Sequence, residues 1–307
     1  MARLFGSYHE RGTSKMTLLR GISAIALIAL LAACGGPANS PSPQTPPPGQ
    51  LFPNWPSLLN DFRFHWSAEP GIDVTSGPAM IVRAYLESYG VAEATFNADN
   101  VYPGFNRATP ENAPREGNYQ FQLVNVRPMG YPATGTPKDA VPHFGYDALH
   151  FLELTPIGTG YRAIVCRGDY AEFVESRSRP GKFIAVGVSA DGQPVPRGSS
   201  GVTGIQIELT QHDPRVGPNP PTVVTGSQRG PLPAPDQDVF GNWFITGAGD
   251  SFWGPKNDPK SSRHDLGERC EAAMPVPEAE RVATMTGIKD QAPPHGEAIP
   301  GWPTKAQ

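Results

Sequence analysis

The sequence predicts an α+β domain in which one long early helix packs against a curved antiparallel sheet, with many loops rich in proline and glycine. Three observations support this fold class. Apolar residues recur at helical spacing early in the chain, and several later segments alternate apolar and polar residues, as half-buried antiparallel strands do. The chain of 307 residues also contains 36 prolines and 34 glycines, which interrupt regular structure. An early helix followed by a run of strands is typical of α+β domains.

The predicted helix covers residues 76–90. Ser76 stands where a hydroxyl can cap the first turn, and Gly90 stands where a left-handed residue can end the helix. One face is apolar and consists of Ile81, Val82, Tyr85, Leu86 and Tyr89. Arg83 and Glu87 lie four residues apart, so we expect them to form an ion pair on the other face of the helix.

Strands are predicted at residues 119–126, 148–154, 161–167, 182–189, 204–210 and 242–247. The second and third segments flank a loop that contains glycine, which predicts a hairpin. In the fifth segment, Ile205, Ile207 and Leu209 point to one side and polar residues point to the other, so one face of this strand should be buried. A second, shorter helix is predicted at residues 169–176.

The start of the chain is typical of a secretory signal peptide. An apolar stretch of twelve residues, 22–33, follows Arg20. This stretch is shorter than the roughly twenty apolar residues that a membrane-spanning helix needs. A basic segment, a short apolar segment and small residues at its end define a signal peptide. We therefore predict a signal peptide at residues 1–33, and Met16 would start a peptide of more usual length.

The end of the apolar stretch, Leu31-Ala32-Ala33-Cys34, resembles the lipobox of bacterial lipoproteins. The resemblance implies that Cys34 carries a thioether-linked diacylglyceryl group and becomes the N-terminus after the peptide is cut. Two or three acyl chains anchor a protein stably, at about 0.8 kcal/mol per buried CH₂. An ordinary signal peptide followed by a chance cysteine is the alternative. No acidic retention signal follows Cys34, so the choice between membrane leaflets stays open.

Residues 34–56 form a proline-rich tether after the lipidated cysteine, with eight prolines in 37–56. This composition favours a semi-rigid, solvated spacer. We expect a single globular domain at 57–274 and an irregular, proline-rich tail at 275–307. Loss of residues 1–33 removes four basic residues and one acidic residue, which leaves 21 basic and 28 acidic residues and a net charge of −7. This charge argues against nucleic acid as the main partner.

Two cysteines remain if Cys34 is lipidated. Cys166 and Cys270 are expected to form a disulfide, because paired cysteines are common in oxidising compartments. Two buried free thiols are the first alternative. A metal site with two cysteine ligands is the second, but neither cysteine has another ligand at zinc-finger spacing.

The order of elements is similar to that of the nuclear-transport-factor-2-like cone fold, which secreted actinobacterial lipoproteins sometimes carry. The similarity covers the first helix, with its AxxVRAYLESY pattern, and the late NWFITG strand. It lies in element order rather than in a defining motif, and the long proline- and glycine-rich insertions at 191–200 and 213–238 depart from that compact family. The resemblance implies a curved sheet around a pocket that the first helix covers, and a role in binding that many members fulfil without catalysis.

Six side chains are candidate contacts for a ligand or partner: Trp66, Tyr85, Tyr89, His150, Trp243 and Trp253. Aromatic side chains form ligand platforms and the centres of protein interfaces, and His150 alternates with apolar neighbours on a predicted strand. Packing of a loop-rich core is the alternative role for the aromatic residues. We assign no catalytic residue and no metal ligand, since the sequence contains no GxSxG motif and no HExxH, HxH or HxxxH spacing.

These features predict a lipoprotein of the cell envelope that is lipid-anchored outside the cytoplasm. We expect it to act as a non-catalytic binding or accessory module for a protein, glycan or lipid partner, with no cofactor apart from the lipid on Cys34. A structural subunit of an envelope assembly is one alternative, and it would expose a large apolar patch. A secreted hydrolase is the other, and it would bring a histidine and a carboxylate within about 3 Å of each other in a concave pocket. Its candidate residues are His150, Glu153, His212, Asp250 and His264.

Overall fold

A computed structural model describes residues 52–128, 139–194, 200–222 and 224–304 of the chain. The strands are β1 (Asp61–Ala68), β2 (His143–Ile157), β3 (Gly160–Gly168), β4 (Glu172–Glu175), β5 (Phe183–Ala185), β6 (Val202–Thr210) and β7 (Phe244–Gly249). The helices are α1 (Gly77–Ala94), α2 (Phe105–Ala108), α3 (His264–Ala273) and α4 (Glu278–Met285). Single 3₁₀ turns lie at Ser57–Leu59, Phe121–Leu123, Pro214–Val216 and Pro259–Ser261.

The strands form one sheet, in which β1 runs parallel to β2 and the other pairs are antiparallel. Since β1 pairs with residues 144–151 along one edge of β2, β3 and β4 must share the other edge. They therefore act as one long, bent strand. β6 pairs with β3, β5 pairs with β4, and β7 pairs with β6. The sheet is strongly curled into half a barrel, which confirms the predicted α+β class with a curved antiparallel sheet.

The sheet bends between β3 and β4. At this point Ala171 O accepts a hydrogen bond from the Tyr146 N–H at 3.0 Å. Gly145 on β2 has a φ of +80°, and a Cβ at this position would lie 2.1 Å from Ala171 O. Only glycine combines this backbone conformation with such a close approach. The predicted helix at 169–176 is therefore wrong, because pairing with β2 overrides its weak helical preference.

Helix α1 begins where the sequence predicts but ends at Ala94, beyond the predicted end at Gly90. Gly90 lies inside the helix, where a Cβ would come within 3.2 Å of the Phe64 ring. Close packing against β1, rather than a left-handed cap, therefore accounts for this glycine. The Ser76 side chain makes no capping hydrogen bond and instead donates to Asp73 Oδ2 at 2.7 Å.

The sheet is covered on both faces, so alternate residues of a strand enter two different cores. On β2, Leu149 and Phe151 pack in the core that contains α1, whereas Ala148 packs on the other face beside Cys166 and Cys270. The two cysteines form a disulfide with an S–S distance of 2.07 Å, which joins β3 to α3. The predicted disulfide is thus confirmed.

The segment predicted as an irregular tail is part of the fold. Residues 275–307 include α4, and Trp302 is fully buried. Ile299 lies along the free edge of β1, where its carbonyl accepts a hydrogen bond from the Trp66 N–H. Residues 299–302, which we call the C-terminal strap, protect an edge that would otherwise expose unpaired backbone groups. The prolines of this segment suppress periodicity in the sequence, and for that reason its packing could not be predicted.

The other strand predictions have mixed outcomes. Strands β2, β3, β6 and β7 confirm the predictions at 148–154, 161–167, 204–210 and 242–247, and β5 covers three residues of 182–189. The strand predicted at 119–126 is wrong, because this segment contains a 3₁₀ turn, Phe121–Leu123. Here the Phe121 N–H donates to the carbonyl of Gly254 in a loop, at 2.9 Å, instead of joining the sheet.

Candidate functional site

Four of the six predicted contact residues lie in the core. Trp66, Tyr85, Tyr89 and Trp243 are buried in the cluster between α1 and the sheet. The Tyr85 hydroxyl donates to Val126 O at 2.8 Å, so even its polar atom has an internal partner. Side chains with so little exposed surface contribute to packing, which was the alternative role for these aromatic residues, and they offer no outer surface to a partner.

Trp66 also belongs to a buried network centred on Glu87. Glu87 Oε1 accepts a hydrogen bond from Trp66 Nε1 at 2.9 Å. Its Oε2 accepts from Trp302 Nε1 at 2.6 Å and from the Tyr102 hydroxyl at 3.0 Å. Arg83 Nε lies 3.4 Å from Glu87 Oε1, so the predicted ion pair is present. Both of its residues are buried, however, because the C-terminal strap covers this face of α1.

The Glu87 network ties distant parts of the chain together. The Arg83 guanidinium lies 3.6 Å from the centre of the Trp302 ring, and its Nη1 donates to Gln228 O at 3.0 Å. Burial raises the pKa of Glu87, while the Arg83 charge and the three donated hydrogen bonds counteract this effect. A buried polar network with its partners in place makes one packing arrangement specific. We therefore regard this network as structural.

A second group of charges, the Arg167 cluster, lies at the bend of the sheet. Arg167 Nε donates to Asp147 Oδ2 at 2.5 Å, and its Nη2 lies 3.5 Å from Glu172 Oε2. Glu172 Oε1 is 2.6 Å from His143 Nδ1. Glu93, near the end of α1, approaches Arg167 Nη1 at 3.9 Å. The Arg167 cluster therefore joins α1 to three strands where the sheet changes direction.

Burial acts to raise the pKa values of Asp147 and Glu172 in the Arg167 cluster, whereas nearby positive charges act to lower them. Burial raises the pKa of Asp147 to about 8, even though Arg167 lies beside it. Burial acts on Glu172 in the same sense, but the hydrogen bond with His143 and the neighbouring positive charges lower its pKa below the usual value. Perturbed carboxylates occur at active sites and also in structural ion-pair networks. Here the acids are almost fully covered, which favours the structural role.

Trp253, the fifth of the predicted contact residues, is half-buried beside an exposed aromatic cluster. Phe252 is 42% exposed and stacks on Phe121 with ring centres 4.6 Å apart. Tyr119 meets Phe121 edge-on at 5.3 Å, and Lys256 Nζ lies 5.4 Å from the Tyr119 ring centre. We call Tyr119, Phe121 and Phe252 the exposed aromatic cluster; the Phe252 ring is exposed, and the other two are half-buried.

Backbone pairing holds the exposed aromatic cluster in place. The Lys256 N–H donates to Tyr119 O at 2.9 Å, and the Gly254 N–H donates to the Gln122 side chain at 2.8 Å. Trp253 points toward β7, where a Cβ on Gly247 would lie 3.3 Å from its ring. Gly247 thus leaves room for Gln122, whose Cγ would lie 2.8 Å from that Cβ, and for the Trp253 ring.

His150, the remaining candidate, lies in a hydrogen-bonded series with Ser67 and Glu69. Ser67 Oγ is 2.9 Å from His150 Nδ1, and Glu69 Oε1 is 3.2 Å from His150 Nε2. The parallel register of β1 and β2 places Ser67 directly opposite His150. Ser67 and Glu69 were not among the candidate residues. Their spacing of two puts them on one side of an extended chain, but the register that brings them to His150 could not be read from the sequence.

The other residues considered for a hydrolase serve different roles or stand apart. Glu153 forms a surface ion pair with Arg269 at 2.7 Å. His212 and His264 are exposed. Burial raises the pKa of Asp250, which follows β7, and none of its hydrogen bonds in the described residues joins it to a histidine. The serine, histidine and carboxylate that converge are therefore Ser67, His150 and Glu69.

Cys34 and the predicted signal peptide lie outside the described residues. In the described ranges, no helix is both long and apolar enough to cross a membrane. The same ranges contain no group of three or more histidine, cysteine, aspartate or glutamate side chains that could hold a metal ion.

No protein-family model matches the chain, and neither the curated proteins nor the solved structures include one with significant similarity to it.

Proposed function

We propose that this protein is a lipid-anchored component of the cell envelope, outside the cytoplasm, that acts as a binding or accessory module for a protein, glycan or lipid partner. The observation that carries the binding role is the exposed aromatic cluster of Tyr119, Phe121 and Phe252. The lipobox-like residues ending at Cys34 support the anchor, and the prolines that follow Cys34 support a tether between the membrane and the domain. The domain begins before the predicted tether 34–56 ends, because Trp55 is buried in its core.

Exposure of the Phe252 ring favours a contact role for the cluster. In the described residues, Phe252 and Ile299 are the two exposed large hydrophobic side chains. The exposed position of Ile299 follows from its place in the C-terminal strap, which pairs with β1. Phe252 instead extends a row of aromatic rings. Rigid aromatic groups give large contact area at little cost in conformational entropy, and they dominate the energy of many interfaces.

The surroundings of the cluster supply the polar part of a contact surface. Lys256 places an ammonium group beside the Tyr119 ring. Asn118 accepts a hydrogen bond from the Asn257 N–H at 2.8 Å, and both residues are exposed. Binding sites commonly combine apolar rings with a few polar groups that fix orientation. This combination suits a binding role that needs no bond to be made or broken.

The anchor is tested by the intact mass of the protein extracted from membranes, beside a Cys34→Ala variant. The expected result is a chain that begins at Cys34 and carries a diacylglyceryl group. The variant should lose this mass and appear in the medium. An unmodified wild-type chain, whether cut elsewhere or not cut, would overturn the lipoprotein proposal.

The binding role is tested with the secreted Cys34→Ala protein and three probes: purified cell-wall polysaccharide, anionic phospholipid vesicles and cross-linked envelope proteins. A Phe252→Ala/Phe121→Ala variant should lose at least tenfold in affinity for one probe, since an anchor side chain contributes about 2 kcal/mol or more. Ile299→Ala is the matched control, because it removes an equally exposed apolar side chain elsewhere. Equal binding by both variants and wild type, or no retention on any probe, contradicts the proposal.

A further inference from the structure

We infer that Ser67 is an activated nucleophile, with His150 as its general base and Glu69 as the residue that positions the histidine, and that this site hydrolyses carboxylic esters. The inference goes beyond the proposed binding role and does not rest on it. It assigns a chemical activity to the β1 edge of the sheet, whereas the exposed aromatic cluster lies beside β7 at the other end of the strand order.

The hydrogen bonds run in series, as acyl transfer requires. The Ser67 hydroxyl can donate to His150 Nδ1 at 2.9 Å, and His150 Nε2–H can donate to Glu69 Oε1 at 3.2 Å. The carboxylate selects the tautomer in which Nδ1 is unprotonated and accepts the serine proton. A nucleophile, a base and a third group that orients the base are the features by which such sites are recognised, whatever the fold.

The backbone places these three groups without a flexible loop. Ser67 and His150 are partners in the ladder between β1 and β2. The Glu69 N–H donates to Phe151 O at 2.9 Å, which fixes the chain just past the end of β1. On its other side, His150 is the ladder partner of Cys166, whose disulfide anchors β3 to α3. Groups on rigid strands hold a reactive geometry better than groups on loops do.

The three groups of the series differ in exposure. The His150 side chain is only 6% exposed, whereas that of Glu69 is 45% exposed. Ser67 lies between these extremes. The base is thus shielded by the protein, and the nucleophile stands at the boundary where a substrate can approach.

Among the described residues, a second histidine–carboxylate pair, His143 and Glu172, lacks the nucleophile that His150 has. His143 and Glu172 are closer, at 2.6 Å, but Arg167 completes their surroundings and no serine hydroxyl joins them in the described residues. Both residues are also almost fully buried. His143 therefore has no nucleophile to activate, whereas His150 has one within hydrogen-bond reach.

The reaction balances with water as the only other reactant. Ser67 Oγ forms a bond to the ester carbonyl carbon as its proton moves to His150 Nδ1, and the Glu69 carboxylate stabilises the imidazolium. The bond to the leaving alkoxide then breaks, and His150 returns the proton to form the alcohol. Water next attacks the acyl-serine in the same way, which releases the carboxylic acid and restores Ser67.

The test uses a fluorophosphonate, which phosphonylates an activated serine with loss of fluoride. The secreted Cys34→Ala protein should gain the mass of one adduct, and peptide mapping should place it on Ser67. Ser67→Ala should abolish labelling, and His150→Gln should slow it by about 10²–10⁴-fold, the usual contribution of a general base. Ser189→Ala is the matched control, because Ser189 donates to Asp191 with no histidine in the series. Labelling of this variant should be unchanged.

Hydrolysis of p-nitrophenyl butyrate gives a second readout that separates positioning from folding. Glu69→Gln should lower kcat and shift its pH profile, and Glu69→Asp should recover part of the activity, while circular dichroism and Tm stay close to wild type. The inference is overturned if Ser67 takes no adduct under conditions that fully label a known serine hydrolase. It is equally overturned if His150→Gln folds and is labelled at the wild-type rate. Phe252→Ala should leave labelling intact, so failure of this site and failure of the binding role are distinguishable.

Discussion

Replacing Glu87 by glutamine is expected to lower the free energy of unfolding by about 3–5 kcal/mol, because it breaks a buried network of one ion pair and three hydrogen bonds. The indole N–H groups of Trp66 and Trp302 donate to different oxygens of Glu87. An indole can only donate, and an amide offers one oxygen and one NH₂ group. Whichever way the introduced amide turned, one indole would therefore face another donor.

Two costs follow from this change. A buried donor left without a partner costs about 1–3 kcal/mol. The guanidinium of Arg83 also loses its counter-charge, and breaking a buried ion pair from one side costs about 3–5 kcal/mol. The two costs overlap, because both arise from the loss of the same carboxylate. Arg83 also keeps its hydrogen bond to Gln228 O at 3.0 Å. The larger figure is therefore the better guide to the total.

Urea unfolding followed by tryptophan fluorescence measures the effect. With an m-value of about 3 kcal/mol/M, the midpoint should fall by about 1–1.7 M. Glu153→Gln is the matched control, because the Glu153 side chain is 41% exposed in its ion pair with Arg269. Such surface pairs contribute about 0–1 kcal/mol. A Glu87→Gln protein that unfolds within about 1 kcal/mol of wild type, with the same m-value, would refute this reasoning.

Three further perturbations have defined outcomes. The Cys166→Ser/Cys270→Ser protein should lose about 4–5 kcal/mol in urea unfolding, because the disulfide closes a separation of 104 residues; a loss below about 1 kcal/mol would contradict this. Burial raises the pKa of Asp147 to about 8, so the folded state holds a proton that the unfolded state releases near pH 4. Stability should therefore fall as pH rises from about 4 to 8, and Asp147→Asn should flatten this profile; an unchanged slope would exclude Asp147 as its source. Gly145→Ala should prevent folding or lower Tm by more than about 10 °C, since its Cβ would lie 2.1 Å from Ala171 O; a normal Tm would show that the bend tolerates a side chain.

Strand alternation and helical spacing predicted α1 and the strands β2, β3, β6 and β7, because these patterns report local burial. They did not predict β1, α3 or α4. Helix α1 shows what these local patterns do not predict. Its pattern located the start, but the glycine at 90 carries no sign that the Phe64 ring packs against it. The burial of Arg83 and Glu87 likewise depends on Trp302, at a separation of 215 residues from Glu87. Contacts between such distant segments leave no periodic signal.

The candidate sites also depend on contacts between distant segments that leave no pattern in the sequence. His150 could be identified because it interrupts an apolar strand. Ser67 and Glu69 become candidates only because the parallel register of β1 on β2 places them beside His150. A shift of that register by one residue would turn Ser67 to the opposite face. The exposed aromatic cluster also depends on pairing between loops, since Gln120 forms a backbone bridge with Pro255 and Phe121 stacks on Phe252. The alternation of residues 119–126 instead predicted a strand of the sheet.

The C-terminal strap connects the stability of the fold with the position of Ser67. Strand β1 is held by β2 on one edge and by the strap on the other, through the Trp66 N–H and Ile299 O. Trp302 then binds Glu87, so the strap cannot leave β1 without breaking the buried network. Because Ser67 directly follows Trp66, the hydrogen bond from the Trp66 N–H to the strap holds the backbone next to the serine that lies beside His150. Loosening the strap should therefore impair the serine site before the sheet unfolds.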